Sequence, residues 1–360
     1  MIKVRENIQL APYTTFGVGG VARFFVEANS VGDVVEAFRE AKRLGLKVAV
    51  LGGGSNTLVR DSGVDGLVLL MRIAGVTFHE KSDGTFYVTA GAGVVWDDLV
   101  RETIERELSG IECLSGIPGT VGGAVVSGIG AYGAQVGDTL ESVDVIDITS
   151  ANLSVRNLSA KECALTYHDS IFASEQNKYI VVGATFSLHN GVTKKPTYED
   201  YRFKFPTQKE NKKITLAFVR ETILNIREEK GALFMKGRKS YNCAGSFFHM
   251  PIVSKEEHAN ILKIARELDA GKEERLRPWS WEQDDGSFKI APGFLLEYTN
   301  FHKGYVRGSV GISPKHILSI IALPGACTAD VEMLADDMQK EVNNIFGIRI
   351  EREVKLFVAR

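Results

Sequence analysis

The chain has 360 residues, and its formal net charge at neutral pH is only −2. This length predicts two or three domains, because one hydrophobic core seldom grows beyond about 250–300 residues. The near-neutral charge gives no electrostatic basis for binding nucleic acid or an anionic membrane. The four cysteines lie far apart without a Cys-x-x-Cys pair, so we expect reduced thiols, no metal site and no disulfide framework.

The first half of the chain alternates between strand and helix patterns. Helices are predicted at 33–44, where apolar residues recur about one turn apart before Gly45, and at 96–108. The mixture of elements predicts an α+β fold with at least two strand-rich units. The predicted strands are 22–28, 47–51, 66–70, 85–90, 143–149 and 179–188.

The second half begins after polar stretches at 194–198 and 208–213, which predict a boundary region. A capping-box pattern, Ser254 followed by Glu257, marks the start of one helix. The charged stretch 271–286 predicts a surface loop. The other elements predicted here are helices at 215–227 and 329–346 and a last strand at 348–358.

Two glycine-rich blocks, 52–56 and 116–124, each follow hydrophobic sequence. Glycine lets successive backbone N–H groups converge on an anion, so the pair predicts two cradles that hold one phosphorylated ligand. A Rossmann fingerprint needs a helix directly after the glycine turn, whereas polar residues and another strand follow the first block. The uncharged segment 114–137 contains Pro118 and many glycines, which favours a ligand loop over a membrane-spanning helix.

Several polar positions are candidates for chemistry, and each has a simpler alternative. Ser246, between a glycine and two phenylalanines, is either a serine at a strand start or a proton donor in an aromatic pocket. Glu353 lies either on the solvated face of the last strand or in a cleft, where it acts as an acid, a base or an electrostatic partner. The string 167–170 is most simply a turn with a capping Asp or Ser, and the basic stretch 227–239 is an exposed loop or a diphosphate site.

Taken in order, these motifs resemble those of the UDP-N-acetylenolpyruvoylglucosamine reductase family. The resemblance covers nearly the whole chain. The matching segments are the N-terminal motif 14–20, the flavin-phosphate loops 51–56 and 116–124, and the catalytic segments 167–172, 244–248 and 352–354.

The resemblance implies non-covalently bound FAD across two N-terminal subdomains of the vanillyl-alcohol-oxidase type, followed by a substrate-binding domain. The implied domains are 1–74, then 75–222 together with 348–360, and finally 223–347. The residues implied to bind the cofactor are Gly52, Gly53, Gly54, Ser55, Asn56, Ser115, Ile117, Pro118, Gly119, Thr120, Gly122, Gly123 and Ala124.

The family activity implies that NADPH reduces the flavin and that hydride then passes to the vinyl carbon of an enolpyruvyl nucleotide-sugar. Ser246 matches the donor that protonates the resulting carbanion, and Glu353 matches a carboxylate near the substrate carboxyl group. Tyr198 and Lys230 fall where the family binds the substrate diphosphate and uridine. The implied product is UDP-N-acetylmuramate, a peptidoglycan precursor, and the implied protein is a cytoplasmic monomer whose partner is the small-molecule substrate.

Three positions depart from the family pattern on the substrate side. His168 stands where the family has an arginine that pairs with the substrate carboxylate, and histidine offers no bidentate fork. Met250 replaces a substrate-binding asparagine, and His316 replaces a glutamine. These departures leave open a divergent flavin-dependent oxidoreductase that acts on another sugar or enol ether. A flavin-binding protein without catalysis is a third hypothesis, against which the retained Ser246 and Glu353 argue.

Overall fold

The computed structural model describes residues 2–150, 152–166, 169–175, 178–191, 214–235, 240–276 and 279–359. The helices are α1 Val31–Leu44, α2 Trp96–Glu105, α3 Val121–Val126, α4 Ile171–Ser174, α5 Leu216–Glu229, α6 Lys255–Leu268, α7 Ala270–Leu276, α8 Pro292–Leu296 and α9 Thr328–Phe346. The strands are β1 Arg5–Gln9, β2 Val21–Ala28, β3 Val48–Leu51, β4 Thr57–Val59, β5 Val64–Met71, β6 Val76–Glu80, β7 Thr85–Gly91, β8 Leu108–Ser109, β9 Gly130–Ala131, β10 Ala134–Gln135, β11 Leu140–Asp147, β12 Val155–Ser159, β13 Tyr179–Asn190, β14 Ile252–Val253, β15 Ser280–Glu282, β16 Phe288–Ile290, β17 Val306–Arg307, β18 Val310–Ile312, β19 Ile320–Ala322 and β20 Lys355–Phe357.

The N-terminal sheet has the strand order β1-β2-β5-β3, in which β2, β5 and β3 run parallel. Its crossover helix α1 begins at a full capping box between Ser30 and Asp33 and ends at Gly45, which has a φ of 65°. Nearly every residue of β5 is buried, as expected for a parallel strand covered on both faces. This sheet presents the first glycine block at the carboxyl end of β3.

The second sheet is antiparallel, with the strand order β12-β11-β13-β7-β6. Helix α2 packs against it through Trp96, which is fully buried and meets Phe186 edge-to-face at 5.7 Å. The indole Nε1 donates to the Leu114 carbonyl oxygen at 3.1 Å, because a buried N–H needs a partner. Trp96 therefore joins the sheet to the segment that leads into the second glycine block.

The C-terminal part has small sheets, β14-β16-β15 and β17-β18-β19, packed with α6 and α9. Its hydrophobic core also contains Phe16 and Val18 of the N-terminal motif and Leu58 of β4. The N-terminal motif therefore serves as an apolar support for the C-terminal domain.

The predicted α+β organisation is confirmed, and most element bounds differ from the prediction by one to three residues. The loop prediction for 271–286 is wrong in part, because this stretch contains most of α7 and all of β15. The last strand, predicted over 348–358, is formed only by β20. The alternation of apolar residues cannot reveal this shortening. It continues through residues 350–353, whose backbone groups bond to other segments and not to a neighbouring strand.

Strand β20 pairs in parallel with β4, which lies within 1–74, and not with the sheet formed by 75–222. The domain boundaries, including the grouping of 348–360 with 75–222, stay predictions. Among the described residues, no helix is long and apolar enough to cross a membrane.

Candidate active site

The first glycine block forms the turn between β3 and β4. A Cβ on Gly54, whose φ is +62°, would lie 2.1 Å from the Tyr13 carbonyl oxygen, so only glycine allows this crossing. The Thr15 N–H donates to the Gly54 carbonyl oxygen at 3.1 Å. The backbone of residues 13–15, at the start of the N-terminal motif, therefore packs against this turn and holds it in place.

The second block lies directly against the first. A Cβ on Gly53 would lie 2.6 Å from the Cα of Gly119, and the Ser55 hydroxyl donates to the Pro118 carbonyl oxygen at 3.0 Å. Thr120 is the N-cap of α3. Within the described residues, the backbone N–H groups of Gly53, Ser55 and Thr120 donate to no acceptor. The two predicted cradles thus form one surface that offers donors to an anion.

Asn56 connects this surface to the C-terminal segment. Its Nδ2 lies 3.4 Å from the Glu353 carbonyl oxygen, and the Lys355 N–H donates to the Asn56 carbonyl oxygen at 3.2 Å. Its Oδ1 is buried and has no hydrogen-bond partner among the described residues. A buried acceptor of this kind requires a donor, which a bound cofactor can provide. The unused donors and this acceptor fit a phosphorylated cofactor with polar edges, such as FAD.

The other predicted cofactor residues also belong to the second block. Ser115 is fully buried, and its hydroxyl donates to the Glu112 carbonyl oxygen at 2.7 Å. Gly122 approaches the residue after β7 so closely that a Cβ would lie 2.9 Å from the Cβ of Ala92. Half-buried Ile117 precedes Pro118, while Gly123 and buried Ala124 lie in the first turn of α3.

The second block is fixed by Asp97 and Arg220, which the sequence did not single out, and by Arg227, the first residue of the predicted basic stretch. Asp97 at the start of α2 accepts the Gly116 N–H at 2.6 Å and forms a two-point ion pair with Arg220 of α5, both contacts at 2.7 Å. Arg227 Nε donates to the Gly116 carbonyl oxygen at 2.9 Å. Burial raises the pKa of Asp97, but the bonds from Arg220 and Gly116 outweigh it and the net pKa is lowered. No short sequence pattern predicts this contact, because Asp97 and Arg220 are 123 residues apart.

Two of the three predicted catalytic segments, 244–248 and 352–354, lie side by side. The Glu353 N–H donates to the Phe247 carbonyl oxygen, and the His249 N–H donates to the Glu351 carbonyl oxygen, both at 2.8 Å. The segment with Ser246 therefore runs antiparallel to the segment with Glu353, next to the first glycine block. Ser246 is half-buried and lies outside the strands.

Helix α9 holds the Glu353 segment from its other side. Arg352 contacts Asp336 Oδ1 at 2.6 Å and donates to the Glu332 carbonyl oxygen at 3.1 Å. Gln339 donates to the Ile350 carbonyl oxygen at 2.6 Å. These contacts, and not a continuous β ladder, fix the backbone before β20.

Glu353 does not lie on a solvated face. Its side chain is 20% exposed, whereas that of Glu351 is 62% exposed. Burial raises the pKa of Glu353 to about 7, and the positive charge of Lys355 only partly opposes this effect. Near neutral pH this carboxyl group can therefore give or accept a proton.

Two of the predicted substrate residues come together on the other side of the Ser246 segment. Burial and the nearby charge of Lys230 lower the pKa of His316 to about 4, so its ring is neutral at pH 7. Its Nδ1 accepts the Leu318 N–H at 3.1 Å, which leaves the proton on Nε2. His316 therefore offers an N–H donor, as the side-chain amide of a glutamine does.

Three predicted site residues remain, namely Met250, His168 and Tyr198. Met250 is half-buried and follows His249. His168 and Tyr198 lie outside the described residues. Ser170, in the same string as His168, caps α4 and donates to the Val126 carbonyl oxygen at 2.7 Å, which confirms the capping interpretation for this serine.

Comparison with known proteins agrees with these features. A family model described as FAD binding domain matches residues 22–153, and one described as UDP-N-acetylenolpyruvoylglucosamine reductase, C-terminal domain, matches residues 238–357. The UDP-N-acetylenolpyruvoylglucosamine reductase of Thermobifida fusca is 35% identical, over 97% of this chain and 96% of that protein. The chain belongs to the UDP-N-acetylenolpyruvoylglucosamine reductase family.

UDP-N-acetylenolpyruvoylglucosamine reductases of other bacteria are also similar to this chain. The reductase of Pseudomonas aeruginosa is 33% identical over 99% of both chains. The crystal structure of the reductase from Thermus caldophilus has the same fold, with a TM-score of 0.65 over 99% of this chain and all of that one, at 24% identity. The predicted FAD cofactor and the FAD-binding fold with a reductase C-terminal domain are confirmed.

Proposed function

We propose that this FAD-dependent reductase uses NADPH to reduce the enolpyruvyl ether of UDP-N-acetylglucosamine enolpyruvate to UDP-N-acetylmuramate, a step in peptidoglycan precursor synthesis. One observation carries the proposal. The segments with Ser246 and Glu353 pair with each other directly beside the glycine blocks, with Asn56 bonded to the Glu353 backbone. This arrangement supports a role for Ser246 as proton donor and for Glu353 as acid beside the proposed cofactor site.

In this proposal the glycine blocks and Asn56 hold FAD, which when bound supplies to the vinyl carbon a hydride received from NADPH. Ser246 holds a proton for the carbon that bears the ether oxygen. Glu353 carries a proton for part of the time near pH 7 and hydrogen-bonds the substrate carboxyl group. Positioned donors stabilise the negative charge that develops on this group better than mobile water does.

Lys230 and His316 are proposed to bind the substrate diphosphate. Lys230 contributes positive charge, and the neutral His316 ring contributes its Nε2 proton as a donor. Tyr198 is assigned to substrate binding, and His168 to the catalytic residues, from the family motif alone. The monomeric state and the cytoplasmic location stay predictions.

The experiment that tests the function is anaerobic flavin spectroscopy of the purified protein. NADPH should bleach the flavin absorbance, and UDP-N-acetylglucosamine enolpyruvate should then restore it with formation of UDP-N-acetylmuramate. Reduction by NADPH without reoxidation by this substrate would contradict the proposal.

The second candidate is reduction of another enol ether, and the Met250 side chain favours it because a thioether cannot replace the two donors of an amide. Met250→Asn and His168→Arg together distinguish the two functions. If the double variant is reoxidised faster by UDP-N-acetylglucosamine enolpyruvate, the chain has the proposed function and only its substrate-binding residues have diverged. No response to either change, with turnover of a different enol ether, supports the second candidate.

A further inference from the structure

We propose that His249 is the proton-relay partner of Glu353, returning a proton from solvent to its carboxyl group during the half-reaction that reduces the substrate. This inference rests on the proposed function, since it names the group that recharges the acid of the same site. The family resemblance assigned no role to His249.

The backbone brings the two side chains together. The bonds from Glu353 N to Phe247 O and from His249 N to Glu351 O fix the two segments in register. As a result, His249 Nδ1 lies 4.0 Å from Glu353 Oε2. One bridging water or a small side-chain rotation closes this separation, and hydrogen bonds of this kind often shorten when a substrate binds.

The exposure of the pair gives the relay a direction. The His249 side chain is 32% exposed and that of Glu353 is 20% exposed. The imidazole therefore lies nearer to water than the carboxyl group does. A proton can enter at the histidine and move inward.

Burial and the charges around the pair shift the pKa values of both groups. Burial and the charges of Lys355 and Lys289 lower the pKa of His249, while Glu351 opposes them. Burial raises the pKa of Glu353 to about 7. The ordinary pKa of histidine is about two units above that of glutamate, and these shifts reverse the order. Transfer of a proton from the His249 imidazolium to the Glu353 carboxylate is therefore favourable.

The step balances without a redox partner. Ser246 gives its proton to the substrate carbon and takes one from the Glu353 carboxyl group, whose O–H bond breaks. An N–H bond of the His249 imidazolium then breaks as a new O–H bond forms on the Glu353 carboxylate. The neutral imidazole then takes a proton from water. No electron moves, and the only co-reactant is solvent.

Stopped-flow measurement of both half-reactions tests the relay. In His249→Ala, reduction of the flavin by NADPH should keep its wild-type rate. Reoxidation by the enolpyruvyl substrate should slow by about tenfold to a hundredfold at pH 8, where protons are scarce. Added imidazole should restore much of this rate. His258→Gln, which changes another half-buried histidine of the same domain, should leave both half-reactions unchanged.

Wild-type reoxidation in His249→Ala would overturn the relay, and so would a slow rate that imidazole does not restore, because a structural role is not rescued by a free base. An NMR titration of His249 provides a readout that does not depend on turnover. Its ring signals should show a second inflection near pH 7, which Glu353→Gln should remove. If the wild-type protein does not reduce the enolpyruvyl sugar, the proposed function fails, while this titration still decides whether the two groups exchange protons. A single inflection, unchanged in Glu353→Gln, rejects the coupling.

Discussion

The carboxyl group of Glu353 lies in surroundings that favour its neutral form. It is mostly buried, and the nearby Lys355 is exposed and only partly offsets the loss of hydration. Buried acids with raised pKa values cluster at functional sites, because such a group can exchange protons near neutral pH. The same burial that makes Glu353 a useful acid makes its ionised form costly for stability.

Replacement of this carboxyl group should therefore stabilise the protein at alkaline pH. The unfolded chain loses the Glu353 proton near pH 4.5 and the folded chain near pH 7, so this group lowers the free energy of unfolding as pH rises between these values. Glu353→Gln should raise that free energy by on the order of 2–3 kcal/mol at pH 8 and by much less at pH 4. Thermal unfolding at both pH values measures the difference. The exposed control Glu351→Gln should show no such pH dependence, and an equal effect of Glu353→Gln at both values would disprove the burial argument.

Ser246 should affect only the second half of the reaction. Ser246→Ala removes the proposed proton donor but leaves the glycine blocks intact, so flavin reduction by NADPH should stay near the wild-type rate. Reoxidation by the enolpyruvyl sugar should fall by about 10²–10⁴-fold. Rapid-mixing absorbance measurements separate the two steps, with Ser82→Ala, in the exposed turn before β7, as the control. An equal loss in both half-reactions would mean that Ser246 has a structural role.

At the scale of elements, the second glycine block depends on contacts between helices α2 and α5. Asp97 and Arg220 are 16% and 11% exposed, and they bond to each other through two contacts. Removal of one partner from such a pair leaves an uncompensated charge, which is more costly than loss of an exposed pair. The position of Gly116 and of the second glycine block therefore depends on this ion pair.

Asp97→Asn should mainly weaken the binding of FAD and should have less effect on the reaction rate of the FAD-loaded enzyme. The amide cannot balance the charge of Arg220, and it binds the Gly116 N–H less strongly. We expect about a tenfold or greater loss of FAD affinity, equivalent to about 1.4 kcal/mol or more. Titration of the apoprotein with FAD, followed by flavin fluorescence, measures it. The neighbouring Asp98→Asn is the matched control, because Asp98 is 63% exposed and its pair with Arg101 is a surface pair at 3.5 Å. Equal FAD affinity in both variants would disprove the role of the ion pair.

At the scale of the whole molecule, the first residues of the chain connect the cofactor module to the C-terminal domain. Phe16 is fully buried and meets Phe247, next to Ser246, edge-to-face at 6.1 Å. Farther along, Asp61 accepts the first backbone N–H groups of α9, from Thr328 and Ala329, at 2.8 and 2.9 Å. A carboxylate is favourable at this positive end of a helix. Residues of the N-terminal part of the chain thus support the C-terminal domain.

Loss of the Phe16 ring should destabilise both parts together. Phe16→Ala leaves a cavity between the modules and should lower the free energy of unfolding by about 3–5 kcal/mol. Urea unfolding followed by tryptophan and flavin fluorescence measures this loss, and the two signals should shift together. Phe218→Ala, at a phenylalanine that is 38% exposed, should have a much smaller effect. A shift of only one signal would mean that Phe16 does not couple the two modules.

The α+β class, most helices and strands, both glycine blocks, and the family whose motifs include Ser246 and Glu353 could be predicted from the amino-acid sequence. These features depend on local periodicity, turn chemistry and short motifs, which are properties of residues close together in the chain. The pairing of β20 with β4, the contact of Asp97 and Arg220 with the second block, and the approach of His249 to Glu353 required the folded structure. It also decided that Glu353 is buried while Glu351 in the same alternating pattern is exposed. Burial and long-range pairing depend on which distant segment packs against a residue, and a one-dimensional pattern does not contain that information.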